Sequence, residues 1–352
     1  MEYKKQIEEL VDMVIQEGAS DLHLAENRHP MVRISGVLIP LVKRPELTAL
    51  DLKGFTKEFL SDENQALLVK DREVDFAYSI TKTRFRGNVF YHQGMISIAL
   101  RLIPKTIRTL SELNLPPILE TFTRRQQGFF LCVGPIGQGK TTTLASLIEM
   151  INQTRNEHIL TIEDPIEYLF ESKKSIIDQR EVRSDTPDFN GALVSMFRQD
   201  IDVCLVGEMR DTNTMATAVT AAETGHLIFS TLHTNNAAQT MNRIIDSFPP
   251  AQQDQIRIQL AGSLTGIFSQ RLLPRISGGL IPAYELLINN NAVANLIREK
   301  RIHEINTVIE TSSGEGMIDM NRSLAELVRR GEITVESAYL NSFNPKTLER
   351  MI

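Results

Sequence analysis

Two cysteines in 352 residues are too few for a zinc module. Cys132 and Cys204 each sit inside an apolar run, where a buried, reduced thiol is expected. The chain also lacks any apolar run approaching the roughly 20 residues of a membrane span. Its opening Met1-Glu2-Tyr3-Lys4-Lys5 has none of the apolar region of a signal peptide, so a cytosolic chain is expected. Charge of one sign is missing in bulk as well: 38 Lys and Arg against 44 Asp and Glu leave a net charge of -6. That balance gives no general attraction to nucleic acid, and no nucleic-acid partner is expected. Internal repeats and low-complexity stretches are absent. With 42% hydrophobic and 23% charged residues, the composition is that of a globular chain of two domains with sizeable cores.

Periodicity divides the chain. Ile7, Leu10, Val11, Val14 and Ile15 recur at helical spacing over residues 3 to 16. Alternating segments at 21–24, 31–34, 74–78, 85–91 and 96–103 predict strands, with helical stretches between 48 and 70. These make a small α+β domain over residues 1–103. Pro104, the polar stretch to Asn114 and Pro116-Pro117 suggest a linker over 104–115. Beyond it, apolar strands near 128, 158, 203 and 226 alternate with helices, the signature of a wound parallel sheet extending to about 288. Residues 289–352 read as short helices.

Chemistry concentrates at the ends of those strands. After the apolar run Gly128 to Val133, the residues Gly134, Pro135, Ile136, Gly137, Gln138, Gly139, Lys140 and Thr141 fit the phosphate-loop pattern G-x-x-x-x-G-K-[ST]. Glycines there let successive N–H groups turn inward as an anion nest leading into a helix N-terminus. Lys140 is placed to reach the β- and γ-phosphates of a nucleoside triphosphate and Thr141 to offer its hydroxyl to Mg²⁺, with Thr142 and Thr143 as further hydroxyl contacts.

Three further segments share the pattern of an apolar strand ending in polar groups. Asp202 to Val206 is followed by Gly207 and Glu208, which puts a carboxylate at the sheet edge where it can orient and activate a water. Arg210 and Asp211 either join that chemistry, pair with each other or cap the next helix. Ile159 to Ile162 ends in Glu163, Asp164, Pro165 and Glu167; Glu163 is the candidate to support Mg²⁺ or the water, and Asp164 and Glu167 are either catalytic or surface turn residues. The run Leu227 to Leu232 is bracketed by His226 and His233; His233 either contacts a γ-phosphate or is a structural histidine. No His, Cys and Asp cluster has zinc or iron spacing.

In order, GPIGQGKTTT (134–143), TIEDPIEY (161–168), RQDIDVCLVGEMRD (198–211) and GHLIFSTLHTNNAAQT (225–240) resemble the Walker A, Asp box, Walker B and His box of the type II/type IV secretion and pilus ATPases. The resemblance is strongest to the PilT-like pilus retraction ATPases and covers nearly the whole chain, including SDLHL (20–24), VRISG (32–36) and QRLLP (270–274). It implies an α/β chain with an N-terminal PAS-like α+β domain, a RecA-like P-loop ATPase core over 116–288 and C-terminal helices. It further implies a homohexameric ring that hydrolyses ATP with Mg²⁺ at the cytoplasmic face of the inner membrane, acting on a pilus platform protein there. Glu208 matches the family's catalytic glutamate, Glu163 its Asp-box acid, and His226 and His233 its His-box histidines. Arg84, Arg86 and Arg101 match the segments from which N-domain arginines complete the nucleotide site. Each of them also reads as a solvated strand charge.

The chain departs from the family at Ile136 and Gln138, where Thr and Ser are usual, and at Ile201, where Pro is usual. AVANLIRE (292–299) resembles the retraction-associated motif, with Ala294 in place of its first arginine. Assembly ATPases carry a longer N-terminal extension and a four-cysteine zinc module, so retraction is the expected direction. An assembly or secretion ATPase, a DNA-translocating RecA-like ATPase and a nucleotide-binding scaffold without turnover are the alternatives.

Overall fold

A computed structural model describes every residue except Met1, Ser35, Thr81, Lys82 and Lys105, and no side chain is described at Glu2. Ser35 of the VRISG segment and Lys105 of the expected linker thus lie outside the described residues. Contacts divide the chain into two units, Met1–Lys105 and Thr106–Ile352.

The first unit is built on six antiparallel strands: β1 (Asp21–Ala25), β2 (Met31–Ile34), β3 (Val37–Pro40), β4 (Glu73–Ile80), β5 (Thr83–His92) and β6 (Met95–Ile103), in the order β3-β2-β1-β6-β5-β4. Alternation along β5 sends Phe85 and Val89 into a core shared with Leu22, Leu24, Ile98 and Leu100. Helix Glu2–Gln16 adds Ile7, Leu10, Val11 and Val14 to it, and helix Ala49–Phe59, opened by a capping box of Thr48 and Asp51, adds Leu52 and Phe55. Helix Asp62–Asp71 completes the unit. The edge strand β3 is exposed at every position.

The second unit carries seven strands: β7 (Gly128–Val133), β8 (His158–Glu163), β9 (Ile176–Glu181), β10 (Val203–Val206), β11 (Leu227–Leu232), β12 (Leu264–Pro274) and β13 (Leu280–Ile288). Their order is β13-β12-β7-β11-β10-β8-β9, and every neighbouring pair is parallel except β12 with β13. Both faces are covered. Phe129, Leu131 and Val133 of β7 pack into one core with Met215, Ala218 and Val219 of helix Thr212–Glu223. Phe130 and Cys132 pack into another with Leu144, Leu147 and Ile148 of helix Lys140–Thr154. Such two-sided burial explains why β7, β10 and β11 are apolar without alternation. Parallel pairing also brings the ends of β7, β8, β10 and β11 to one edge, which is where the four boxes sit. Helix Met320–Arg329 covers β12 and β13: its Met320 and Leu324 pack with Leu273, Ile281 and Ala283.

Two sequence expectations change. The later part of the expected linker, residues 110–115, belongs to the second unit, because Leu110 and Leu115 are buried with Leu119 and Phe122 in its core. Strands β3, β9, β12 and β13 were not among those expected from the sequence: the apolar run of β3 is only four residues long, and polar residues interrupt β9, β12 and β13.

Candidate active site

The turn after β7 is shaped by close approach to β12. Gly134 has φ +148°, and a Cβ there would lie 2.4 Å from the Gln270 carbonyl oxygen; at Gly139, φ +79°, it would meet the Gln270 amide nitrogen at 2.9 Å. Only glycine fits these positions. Gln270, 3% exposed, clamps the loop from below: its Nε2 donates to the Gln138 carbonyl at 2.8 Å, and its Oε1 accepts from the Thr143 hydroxyl at 2.7 Å. Gln138 returns the contact by accepting the Leu272 N–H at 2.7 Å. Its departure from the family pattern is thus an anchor to β12. Thr143, expected near phosphate, instead spends its hydroxyl on Gln270. Ile136 is 82% exposed at the mouth of the loop.

The loop opens into helix Lys140–Thr154 and lines a cavity of about 460 Å³. Residues 136–142 form one wall, and Glu163, Asp164, Glu167, Glu208, Thr231 and His233 form much of the rest. Gly134 and Pro135 stand behind it, accepting from Lys140 Nζ at 2.9 and 2.8 Å. Burial lowers the Lys140 ammonium from its ordinary value, against the pull of Cys132, Glu208 and Glu167. Thr142 Oγ1 meets the Tyr168 hydroxyl at 2.8 Å.

Glu208 is presented by a turn fixed on both sides. Gly207 N–H donates to the Ile162 carbonyl at 2.8 Å, and the Thr231 hydroxyl donates to the Gly207 carbonyl at 2.6 Å. One Glu208 oxygen accepts from Arg210 Nη2, and the other lies 3.6 Å from His233 Nε2. His233 Nδ1 lies 3.3 Å from Lys140 Nζ. Burial and the Lys140 charge hold the His233 imidazole below its usual value despite Glu208, which favours the neutral ring. A neutral ring against a carboxylate, beside a lysine and an inward-facing loop, suits handling a proton next to a bound anion.

Glu163 is 4% exposed at the tip of β8. Burial pushes its carboxyl up to about 7, against hydrogen bonds from the Thr161 hydroxyl at 2.7 Å, the Glu167 N–H at 3.3 Å and Gln179 Nε2 at 3.4 Å. Asp164 faces Arg183 at 3.8 Å and Arg210 at 4.0 Å. Arg210 itself lines an adjoining cleft of about 470 Å³, which shares Glu208, Thr231 and His233 with the first and also reaches Thr234 and Arg243. Thr141 lines the cavity with a hydroxyl, and Glu163, Asp164 and Glu208 line it with carboxylates, oxygen donors of the hard type Mg²⁺ takes though not gathered into one ligand set. Among the described residues no group of three or more His, Cys, Asp and Glu forms a metal cage, so such a cation would share its ligands with a nucleotide.

His226 does not join the site. It precedes β11 while His233 follows it, and its Nδ1 lies 3.1 Å from the Ala221 carbonyl with its ring edge-on to Phe197. A six-residue strand spans ~20 Å. Asp211 turns away too, capping helix Thr212–Glu223 by accepting the Thr214 N–H at 2.9 Å. Arg84, Arg86 and Arg101 belong to the first unit. Arg84 and Arg86 alternate along one face of β5, Arg86 opposes Arg101 in register, and Arg101 Nε donates to Asp21 at 2.8 Å. Gln270, Thr161 and Gln179 were assigned no site role from the sequence, although Gln270 opens the QRLLP segment and Thr161 the Asp box; Gln179 carries no signal beyond polarity within a strand.

The profile of the type II/IV secretion system protein family matches residues 2–280. The chain belongs to that family. Among members of the type II/IV secretion family, a twitching motility protein of Neisseria gonorrhoeae is 43% identical over 91% of this chain and 86% of its own length. The type IV pilus retractation ATPase PilT of Pseudomonas aeruginosa is 39% identical, covering 94% of this chain and 96% of the relative. A crystal structure of the pilus retraction motor PilT with bound ADP is 46% identical, superposes with a TM-score of 0.92, and covers 97% of this chain and 98% of that one.

Proposed function

We propose that this chain is an ATPase that drives retraction of a type IV pilus. The observation that carries the reading is the convergence of the Lys140 loop, Glu208, Glu163 and His233 on one cavity at the strand ends. In this reading the loop N–H groups and Lys140 bind the triphosphate, and Glu208 orients the attacking water and takes its proton. His233 stays neutral beside Glu208 and Lys140, while Glu163 supports the site from the tip of β8. Mg²⁺, when bound with the nucleotide through Thr141, neutralises charge on the phosphates. His226 is given no part in the reaction, and Arg210 acts by holding Glu208.

The retraction direction is supported by the names of the two relatives and the ADP-bound structure just described. Type II secretion system proteins E are 32–35% identical, but the chain spans only about half of their length. The motor works as a homohexamer at the cytoplasmic face of the inner membrane, engaging a pilus platform protein. Among the described residues no helix is long and apolar enough to cross a membrane.

Purified protein is expected to hydrolyse ATP with Mg²⁺, and Glu208→Gln to lose about 10²-fold or more in kcat while still binding nucleotide, if Glu208 acts as a general base. A Glu208→Gln variant with the unaltered rate sinks the catalytic assignment. A deletion strain is expected to keep surface pili and lose twitching; loss of the pili themselves would assign assembly instead.

A further inference from the structure

His233 enters the cavity from the end of β11, and the turn behind it is held by a buried acid outside the cavity. Glu285, 3% exposed on β13, accepts the Ala237 N–H at 2.8 Å. Its register partner on β12, Ser269, donates its hydroxyl to the Asn235 carbonyl at 2.7 Å. One cross-strand pair thus grips two positions of a single turn. Arg271 Nη2 adds a bond to Asn235 Oδ1 at 3.1 Å, and Thr234 Oγ1 meets Thr240 Oγ1 at 2.6 Å.

We propose that Glu285 is a positioning residue for the reaction: by accepting the Ala237 N–H it fixes the turn from His233 to Asn236, and so sets the imidazole between Glu208 and Lys140. This rests on the ATPase reading above.

A buried carboxyl needs a reason to be there, because a hydrocarbon side chain would fill the same space without desolvating a polar group. The reason is at the helix end. Ala237 opens helix Ala237–Asp246, and its N–H is among those that no helical carbonyl can satisfy. Asn236 caps the N–H of Gln239, leaving that of Ala237 to Glu285. Burial lifts the Glu285 carboxyl to about 7, opposed by the Ala237 N–H and reinforced by Asp319. What the Ala237 N–H needs is an oxygen at the reach Glu285 provides, and a neutral carboxamide of the same length also supplies one.

The two conservative variants separate those properties. Glu285→Gln keeps an acceptor at the same reach, whereas Glu285→Asp keeps the charge and withdraws the oxygen by one methylene. Steady-state ATP hydrolysis and binding of a fluorescent ADP are measured on the full chain. Glu285→Gln is expected to retain kcat within about threefold, and Glu285→Asp to lose about tenfold or more in kcat with KM and ADP affinity unchanged, as small displacements of catalytic groups do. In a His233→Ala background the same Glu285→Asp change is expected to cost less than about twofold, because residues acting through one another are not additive. Glu285→Asp at the unaltered rate, Glu285→Gln as slow as Glu285→Asp, or an equal loss without His233 would each overturn the assignment. Absence of hydrolysis by the unaltered protein would overturn the ATPase reading itself, and this assignment with it.

Discussion

A carboxyl at 4% exposure whose pKa has risen from 4.5 to about 7, as at Glu163, works against the fold that holds it. Between those two values the native chain keeps a proton that the unfolded chain has released, so stability falls as pH rises from 4.5 to about 7 and levels off above. The loss is on the order of a few kcal/mol. Glu163→Gln should therefore melt at a higher temperature than the unaltered protein at pH 8 and at nearly the same temperature below pH 4.5, as read by thermal denaturation across pH. It should also slow ATP hydrolysis at pH 8. Gain in stability with loss of turnover is the mark of a group kept for function; a lower melting temperature at pH 8 would instead make Glu163 a structural acid.

Strand ends and helix caps explain which residues could be read in advance. Gly134→Ala is expected to abolish nucleotide binding, since its Cβ would collide with the backbone of β12, whose Gln270 carbonyl cannot swing aside as a side chain would. Asp211→Ala should cost about 1 kcal/mol through the lost cap and leave ATP hydrolysis unchanged; a slowed enzyme at equal stability would return Asp211 to the chemistry. The phosphate loop, Glu208 and His233 were legible because each follows a buried parallel strand, whose continuous apolar run marks where its polar tip must emerge. Strand β9 was not, since its polar, partly exposed sequence Ile176–Glu181 lacks such a run. In β12 the buried Ser269 and Gln270 look like surface residues until their bonds to Asn235, Gln138 and Thr143 are seen. His226 entered only through its place in the family's His box; the strand that separates it from His233 sets the two at opposite ends. Asp211 was ambiguous because a cap and a catalytic acid use the same residue type.

Each unit has its own core, one around Phe55 and Phe85 and the other on the two faces of the large sheet. A fragment of residues 106–352 is expected to unfold cooperatively and to bind fluorescent ADP; a fragment without a cooperative transition would show that the boundary at Lys105 is not a folding boundary. Cys132 and Cys204 are fully buried in that unit, and burial raises both thiols well above their usual range. Neither should react with a thiol reagent until the fragment unfolds.

The phosphate loop takes its shape from a strand that comes much later in the chain: Thr143 and Gln270, which hold it together, are 127 residues apart. During synthesis the loop therefore leaves the ribosome well ahead of the strand that shapes it. A nascent chain stalled before residue 264 should fail to retain nucleotide even with every Walker A residue already translated, so ATP cannot template the early folding of its own pocket.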